Sequence, residues 1–311
     1  MSSKVPPLLR IRPSLMRLPE FPGINSARPY STSSVDQTEI SHFANLASTW
    51  WDPHGSSRLL HLMNPIRLSF IQRCLLKGPP ILATSSARTP PETPDPKAEA
   101  QGTDSPQKLC FLDIGCGGGI LAEALARLPS TESVIAIDPS KEVLSIALEH
   151  ARQDPMLAGG KLRYINAAIE QLPKELEGQR SQFDVVTLME VIEHVPRPSS
   201  FLTAAMEHVR PGGWLVLSTI ARTWESFLTT KLVAEDILGI VPRGTHDWNK
   251  YINSEELREF FKGKEGWVDV LVMGCVYVPG FGWREVRGGE NVGNYFFGVR
   301  RGLGGEGSGG K

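Results

Sequence analysis

Short apolar runs alternate with amphipathic runs through most of the chain after residue 108. Continuous apolar runs predict buried strands, and apolar residues spaced three or four apart predict helices. The predicted strands are 109–114, 133–137, 161–165, 183–188 and 214–219, and the predicted helices are 119–128, 141–153 and 199–209. This alternation predicts an α/β fold with a mostly parallel sheet, right-handed crossovers and helices on both faces. Two later runs, 267–275 and 294–300, predict an antiparallel edge that completes a seven-stranded sheet.

The segments before this region have a different character. Apolar residues at helical spacing within 39–76 predict two or three helices that precede the sheet. Residues 78–107 are rich in Pro, Ser, Thr and charge and have no periodicity, which predicts a disordered insert. We therefore predict one domain over 31–311, with helical additions before the sheet and an insert that separates them from it.

Composition narrows the function classes. The chain has 311 residues, is 41% hydrophobic and carries a formal net charge of -1, which gives no general reason to expect a nucleic-acid partner. Its 4 cysteines lack C-x-x-C spacing, which argues for reduced thiols and against a disulfide framework or a zinc ribbon. No apolar run approaches the roughly 18 residues that a spanning helix needs, so any membrane contact would be peripheral.

The N-terminal segment has the composition of a targeting sequence. Its first 19 residues contain basic residues and serines but no acid, which is typical of a mitochondrial transit peptide. Prolines in the segment weaken the amphipathic helix, and a disordered tail is the alternative. The sequence 28–33 is similar to a matrix processing site, so we predict a transit peptide over 1–30 and a mature N-terminus near Ser31.

A strand, a glycine loop and a helix follow one another between Leu112 and Leu121. The loop glycines, among them Gly115 and Gly117, let the backbone approach a ligand where a side chain would collide. Asp138 ends the next predicted strand about 20 residues later, where a carboxylate accepts hydrogen bonds from ribose hydroxyls. The pattern therefore predicts a nucleoside cofactor at the carboxyl ends of the strands.

One position separates the two common cofactors of such loops. A dinucleotide motif that begins at Gly115 requires glycine at position 120, where this chain has Ile120. Asp113 suits a ligand with a sulfonium and an ammonium, whereas a pyrophosphate prefers a helix N-terminus free of acids. We therefore favour S-adenosylmethionine over NAD. Ile169 and Met189 follow other predicted strands and are further candidates for cofactor contact.

A cluster of acids and an imidazole follows the strand 183–188. If 190–195 form one helical turn, Glu190, Glu193 and His194 lie on one face, where they suit a divalent cation. Such a cation would lower the pKa of a bound hydroxyl. His194 as a general base, or as a structural residue of the turn, is the alternative. Oxygen ligands favour magnesium or manganese, and the imidazole favours zinc, iron or cobalt.

These motifs resemble those of the class I S-adenosylmethionine-dependent methyltransferases, which have a Rossmann-like fold, and closely those of the ubiquinone biosynthesis O-methyltransferases. The resemblance covers about 39–76 and 108–297, and it departs at the insert and at Asp138-Pro139. Its specific motifs are Trp50-Trp51-Asp52, His61 to Arg67, Leu112 to Glu123, Met189 to Val195 and Val241 to Trp248.

The resemblance implies roles for individual residues and a reaction. Contacts with S-adenosylmethionine are implied for Arg67, Gly115, Asp138 and Met189. Magnesium ligation is implied for Glu190, Glu193 and His194. The implied reaction methylates catechol-type hydroxyls, first on a dihydroxy polyprenylbenzoate and later on a demethylated ubiquinol. The implied setting is the matrix side of the mitochondrial inner membrane, with other enzymes of a ubiquinone-synthesis complex as partners.

The apolar segment 224–245 predicts a helical lid or membrane contact, or else an ordinary helix packed over the site. His246 and Asp247, which follow it, are candidate catalytic residues, with a turn cap as the alternative. Two other functions are compatible with these motifs. One is methylation of another small hydroxylated substrate, and the other is a non-catalytic, cofactor-binding subunit of a quinone-synthesis complex.

Overall fold

The computed structural model describes residues 33–55, 57–78, 108–221 and 252–303. All of these residues belong to the larger of the two units of the chain, Thr32–Lys311. Several predictions fall outside the described residues and stay predictions: the transit peptide, the insert after residue 78, the lid at 224–245, and the roles of His246 and Asp247.

One sheet organises the described part of the chain. Its strands are β1 (Leu109–Ile114), β2 (Thr131–Asp138), β3 (Leu162–Asn166), β4 (Phe183–Met189), β5 (Val209–Ile220), β6 (Trp267–Val278), β7 (Gly282–Val286) and β8 (Asn294–Arg301). Their order across the sheet is β3-β2-β1-β4-β5-β8-β6-β7, and the first five strands in that order are parallel. The predicted α/β fold with a mostly parallel sheet is confirmed.

The antiparallel end of the sheet differs from the prediction. β8 pairs antiparallel with both β5 and β6, so it lies inside the sheet and not at its edge. β7 pairs antiparallel with β6 and forms the edge, which gives 8 strands where the sequence predicted seven. The apolar pattern missed β7 because this strand is short, begins with glycine and exposes its two charged residues, and so contains no continuous apolar run.

Helices cover both faces of the sheet. They are α1 (Gln37–Leu46), α2 (Arg58–Lys77), α3 (Ile120–Ala126), α4 (Lys141–Arg152), α5 (Leu172–Glu175), α6 (Pro198–Glu207) and α7 (Ser254–Lys262). Successive side chains of a strand point to opposite faces. Accordingly, Val186 and Leu188 of β4 join an apolar cluster with α5, α6 and α7, whereas Val185 and Met189 join a second cluster with α2, α3 and α4. Two or three helices were predicted before the sheet, and the described residues there form two α-helices, α1 and α2, with a short 3-10 turn between them.

The described residues also bear on membrane-spanning helices and on the state of the cysteines. None of the helices that the structure describes is long and apolar enough to cross a membrane. All the cysteines are free and buried, as their spacing predicted.

Candidate active site

The carboxyl ends of β1, β2 and β4 open into a cavity of about 440 Å³. This is the edge where an open parallel sheet binds its ligand. Ten of the residues singled out from the sequence line the cavity: Arg67, Asp113, Gly115, Gly117, Asp138, Ile169, Met189, Glu190, Glu193 and His194. The structure thus brings together every described residue that the sequence placed in the site.

The glycine loop is fixed to the neighbouring strand by its backbone. The N–H groups of Gly115 and Cys116 both donate to the Ile137 carbonyl, at 2.8 and 3.0 Å. Gly115 has a φ of 70° and Gly119, which caps α3, has a φ of 87°. Both lie in the left-handed region that side chains disfavour. The loop therefore requires glycine for its conformation as well as for closeness to a ligand.

Two adjacent tryptophans cover this loop, and the sequence analysis gave them no role. The Trp50 indole lies against the backbone of Gly117 and Gly118 and leaves no room for a Cβ atom at either position. Trp51 donates from Nε1 to the Gly118 carbonyl at 2.9 Å, and its ring stacks on His150. The Trp50 Nε1–H is buried without a hydrogen-bond partner among the described residues, and Trp50 lines the cavity. Such a donor is suited to an acceptor on a bound ligand or water.

Asp138 is held by backbone donors at both carboxylate oxygens. The Gly117 N–H donates to one oxygen at 2.9 Å and the Ser140 N–H donates to the other at 2.8 Å. Burial raises the pKa of Asp138 to about 6, against the opposing effect of these two hydrogen bonds. The carboxylate is thereby fixed beside the glycine loop, at the end of β2.

Asp113 and Arg67 place opposite charges next to the loop. Thr187 donates to Asp113 Oδ1 at 2.6 Å, and burial raises the pKa of Asp113 to about 6. Arg67, carried by α2, is only 4% exposed, and its Nε has no hydrogen-bond partner among the described residues. Burial lowers the pKa of Arg67, and the charges of Glu190 and Asp113 oppose that effect. A buried guanidinium with a free donor is suited to a carboxylate.

Glu190 has the strained backbone of the site. Its φ of 56° is in the left-handed region, and its N–H donates to the Ser218 carbonyl at 3.1 Å and to the Ser218 hydroxyl at 3.2 Å. Its Oε2 accepts a hydrogen bond from Asn294 Nδ2 at 3.2 Å, whereas its buried Oε1 has no partner among the described residues. Strain of this kind is concentrated at functional sites. Sequence reasoning missed Asn294, which comes from β8, far along the chain.

Glu193 and His194 lie in a 3-10 turn, Ile192–His194. Thr219 donates to Glu193 Oε2 at 2.9 Å, and burial, followed by the charge of Glu190, raises the pKa of Glu193 to about 7. His194 donates from Nδ1 to Glu39 Oε2 at 3.1 Å. Burial opposes protonation of His194, but the Glu39 hydrogen bond and the nearby carboxylates raise its pKa above the ordinary value.

The helical turn that would align the three predicted metal ligands is not formed. Glu190 adopts a left-handed conformation before the turn, because Ser218 holds its backbone. Glu190, Glu193 and His194 instead take separate partners in Asn294, Thr219 and Glu39. Among the residues that the structure describes, no group of three or more His, Cys, Asp or Glu side chains is arranged to hold a metal ion. The helical turn assumed for 190–195 is therefore wrong, whereas metal ligation by these three residues stays a prediction.

The strand order, the glycine loop after β1 and the carboxylate after β2 together define a class I S-adenosylmethionine-dependent methyltransferase. A family model described as a methyltransferase domain matches residues 84–267. The chain also shares its fold with a SAM-dependent methyltransferase from Thermotoga maritima, at a TM-score of 0.50 and 15% identity over 85% of this chain and 99% of that one. The plantazolicin methyltransferase BpumL, solved with SAH, gives a TM-score of 0.51 at 14% identity over 85% and 97%.

Sequence relatives define the family within this class. Proteins named mitochondrial ubiquinone biosynthesis O-methyltransferase are 39% identical in Candida albicans, over 86% of both chains, and 43% identical in Schizosaccharomyces pombe, over 79% of this chain and 77% of that one. A ubiquinone biosynthesis O-methyltransferase of Caulobacter is 38% identical over 82% and 90%. The chain belongs to the ubiquinone biosynthesis O-methyltransferase family. It is an S-adenosylmethionine-dependent O-methyltransferase, as the sequence predicted.

Proposed function

We propose that this enzyme methylates catechol-type hydroxyls of polyprenylated phenols in ubiquinone biosynthesis, namely a dihydroxy polyprenylbenzoate and a demethylated ubiquinol. The observation that carries the proposal is the shared cavity of the glycine loop and the strained Glu190. A methyl donor held by the loop therefore faces carboxylates that can interact with a phenolic hydroxyl. The phenolate oxygen attacks the sulfonium methyl group in line, and S-adenosylhomocysteine leaves.

On the cofactor side, each group has a partner of matching chemistry. Asp138 would accept hydrogen bonds from the ribose hydroxyls, and Arg67 would bind the methionyl carboxylate with two parallel hydrogen bonds. Asp113 would face the cationic part of the cofactor. Gly115 and Gly117 would provide the close backbone, and the apolar side chains Ile169 and Met189 would form walls of the cofactor site. These roles rest on burial and position around one cavity.

On the acceptor side, polar side chains would orient the catechol and accept its phenolic proton. His194, whose Nδ1 is bonded to Glu39, is the candidate general base for the phenolic proton. Glu190 would accept a hydrogen bond from the catechol through its unpartnered Oε1. His246 and Asp247 are further candidates from the undescribed segment 222–251. Orientation and fixed charges would supply most of the acceleration.

We propose magnesium as a second cofactor, besides S-adenosylmethionine. The three predicted ligands suit a cation. Glu190 Oε1 is unpartnered among the described residues, and burial and the charge of Glu190 raise the pKa of Glu193. His194 bonds to Glu39 through Nδ1, which leaves Nε2 for a metal ion, as is usual for a metal-bound imidazole. Glu190, Glu193 and His194 would therefore hold the ion. When bound, it would lower the pKa of a catechol hydroxyl.

A direct assay tests the proposal. Purified protein would be incubated with S-adenosylmethionine and either a short-chain dihydroxy prenylbenzoate or a short-chain demethylated ubiquinol, with magnesium or with a chelator. Methylated product is expected, with a higher rate when magnesium is present. Cofactor binding without product from either catechol-type substrate would contradict the proposed reaction. Activity that the chelator leaves unchanged would refute the magnesium role alone.

We also propose a mitochondrial location, on the matrix side of the inner membrane and in contact with other enzymes of ubiquinone synthesis. The basic, acid-free N-terminal composition supports import, and the fungal relatives are named mitochondrial. A polyprenyl tail would keep the substrate in the bilayer, where the predicted lid at 224–245 would lie. N-terminal sequencing of the protein from mitochondria tests the import, with an end near Ser31 expected and an intact Met1 as the contrary result.

A further inference from the structure

The helix α1 borders the active-site cavity. None of its residues is fully buried, yet Glu39, Ile40 and Phe43 line the cavity. Residues spaced three or four apart share one face of a helix, so this face of α1 is turned toward the site. Just before the helix, Ser34 donates to the Glu170 carboxylate, from its N–H at 2.8 Å and from its hydroxyl at 3.2 Å. The helix therefore contributes side chains to the site rather than to the core of the sheet.

Two side chains of α1 hold the His194 imidazole. His194 Nδ1 donates to Glu39 Oε2 at 3.1 Å, and the two side chains are 16% and 23% exposed, respectively. Phe43, one turn further along α1, packs edge to face against the same ring, with centroids 5.0 Å apart and an interplanar angle of 87°. A rotation of the imidazole would break the hydrogen bond and displace the aromatic contact. Glu39 and Phe43 therefore fix the orientation of this ring.

The hydrogen bond also decides which ring nitrogen carries the proton. A carboxylate accepts hydrogen bonds and does not donate them, so the neutral imidazole keeps its proton on Nδ1. Nε2 is then unprotonated, and His194 lines the cavity together with Glu190 and Glu193. The two roles proposed for His194, as a ligand of a cation and as a base for the phenolic proton, both require an unprotonated Nε2. Without Glu39, the proton would be free to move to Nε2 and block both roles.

A purely structural role for Glu39 is the alternative. Glu39 stands in the first turn of α1, where an acid stabilises a helix through the helix dipole. The dipole acts on any carboxylate in that turn, whereas Glu39 reaches a side chain 155 residues away in the sequence. Loss of a structural role would change the stability of α1 and leave the His194 tautomer as it is. Experiments on the imidazole therefore separate the two roles.

We propose that Glu39 is a positioning residue for methyl transfer, whose carboxylate holds the His194 imidazole with Nδ1 protonated and Nε2 available in the cavity. The proposal rests on the proposed function, because Glu39 acts through His194. Since Glu39 belongs to α1, the acceptor side of the site is complete only while this helix lies against it.

The tautomer of His194 is the first test. Protein labelled with ¹⁵N at histidine, without cofactor or metal, would be studied by NMR at a pH where the imidazole is neutral, since ¹⁵N shifts distinguish protonated from unprotonated ring nitrogens. The native His194 signals, assigned with His194→Gln, should show the proton on Nδ1. Glu39→Met keeps the side-chain length and helix propensity but removes the acceptor, so the proton should move wholly or partly to Nε2. An unchanged tautomer in Glu39→Met would overturn the proposal.

Metal affinity is the second test. The Kd of Mn²⁺, followed by the EPR signal of the free ion, should rise roughly tenfold to 100-fold in Glu39→Met, the usual effect of losing a carboxylate that orients a histidine ligand. Glu170→Met is the matched control, because it removes the carboxylate that holds Ser34 and leaves the Glu39 hydrogen bond in place. This control should keep the native Mn²⁺ affinity and the native tautomer.

Two outcomes of these measurements have different meanings. Equal changes in Glu39→Met and Glu170→Met would assign the effect to a loosened α1 and overturn the proposal. Failure of the native protein to bind Mn²⁺ would refute the metal role of His194, whereas the tautomer would still decide the role of Glu39. Neither readout requires methyl transfer, so each is independent of the proposed reaction.

Kinetics separate positioning from cofactor binding. Glu39→Met should lower kcat for a short-chain catechol substrate roughly tenfold to 100-fold, while the Kd of S-adenosylhomocysteine stays within about twofold of native. Glu170→Met should retain the native rate. Unchanged turnover in Glu39→Met would overturn the positioning role, and so would a drop in cofactor affinity that accounts for the whole loss of rate.

Discussion

In the donor half of the cavity, formed by Gly115, Gly117 and Asp138, polar groups are largely paired within the protein. Asp138 has backbone donors on both oxygens, and the loop backbone is tied to β2. In the acceptor half, around Glu190 and Glu193, Glu190 has a strained backbone and an unpartnered buried oxygen. The loop and carboxylate of the first half are therefore built before the ligand arrives, although Arg67 Nε and Trp50 Nε1 beside them have no hydrogen-bond partner among the described residues. The acceptor half keeps a strained backbone and a carboxylate oxygen without a hydrogen-bond partner. A substrate hydroxyl or a cation can bind that oxygen.

The largest expected effect concerns the donor half. Asp138→Ala should weaken binding of S-adenosylhomocysteine roughly 100-fold, because hydrogen bonds to a charged acceptor contribute about 1.5–3 kcal/mol each. Isothermal titration calorimetry measures this loss directly. Asp138→Asn keeps one carbonyl acceptor and should lose less. Native affinity in a folded Asp138→Ala protein would remove the ribose role of this carboxylate.

In the acceptor half, burial of Glu193 makes the stability of the protein depend on pH. The folded pKa of Glu193, about 7, is above its ordinary value of 4.5, so between these values the native state binds more protons than the unfolded state. The free energy of unfolding should therefore fall as pH rises through this window, by roughly 1–3 kcal/mol. Thermal unfolding of cofactor-free, metal-free protein measures it.

Glu193→Gln is the test variant for this slope. The amide does not titrate, so the decline of Tm between pH 4.5 and 7 should become shallower than in the native protein. A decline should persist in this variant between about pH 3.8 and 6, because burial also raises the pKa of Asp113 and of Asp138 from 3.8 to about 6. An unchanged slope in Glu193→Gln would show that Glu193 is ionised in the native state across this range.

We expect a smaller loss of cofactor affinity when the unpartnered indole N–H of Trp50 is removed from the donor half. Trp50→Phe keeps the ring over the glycine loop but removes Nε1–H, so binding of S-adenosylhomocysteine should weaken roughly threefold to tenfold. Trp283→Phe is the control, since its Nε1 bonds to the Leu59 carbonyl, and it should lower Tm without changing that affinity. Equal affinities of Trp50→Phe and native protein would place the acceptor of this indole outside the cofactor.

The donor half of the site could be predicted from the sequence more completely than the acceptor half. The donor half follows from local signals, since apolar runs define β1 and β2, and Asp138 comes directly after a strand. The acceptor half depends on contacts that no local pattern contains. Ser218 from β5 holds Glu190 out of a helical conformation, and Asn294 from β8 binds its carboxylate. The predicted helical turn was wrong for this tertiary reason.

Three other features also escaped local reasoning. Trp50 covers the glycine loop from a segment far earlier in the chain, although two adjacent tryptophans in a polar region were a usable signal. Glu39 reaches His194 from α1, and nothing in the spacing of either residue predicts that pair. β7 was missed because an exposed edge strand needs few apolar residues. Long-range contacts, more than local propensity, therefore complete the site.

Glu190, as proposed here, acts on the methyl acceptor and not on the cofactor. The direct measurement compares Glu190→Gln with native protein in two ways: the Kd of S-adenosylhomocysteine and the kcat for methylation of a short-chain catechol substrate. We expect a Kd within about twofold of native and a kcat roughly 100-fold lower, because the variant loses a group that accepts the phenolic proton or orients the acceptor. A native kcat, or a loss of cofactor affinity as large as the loss of rate, would contradict this role of Glu190.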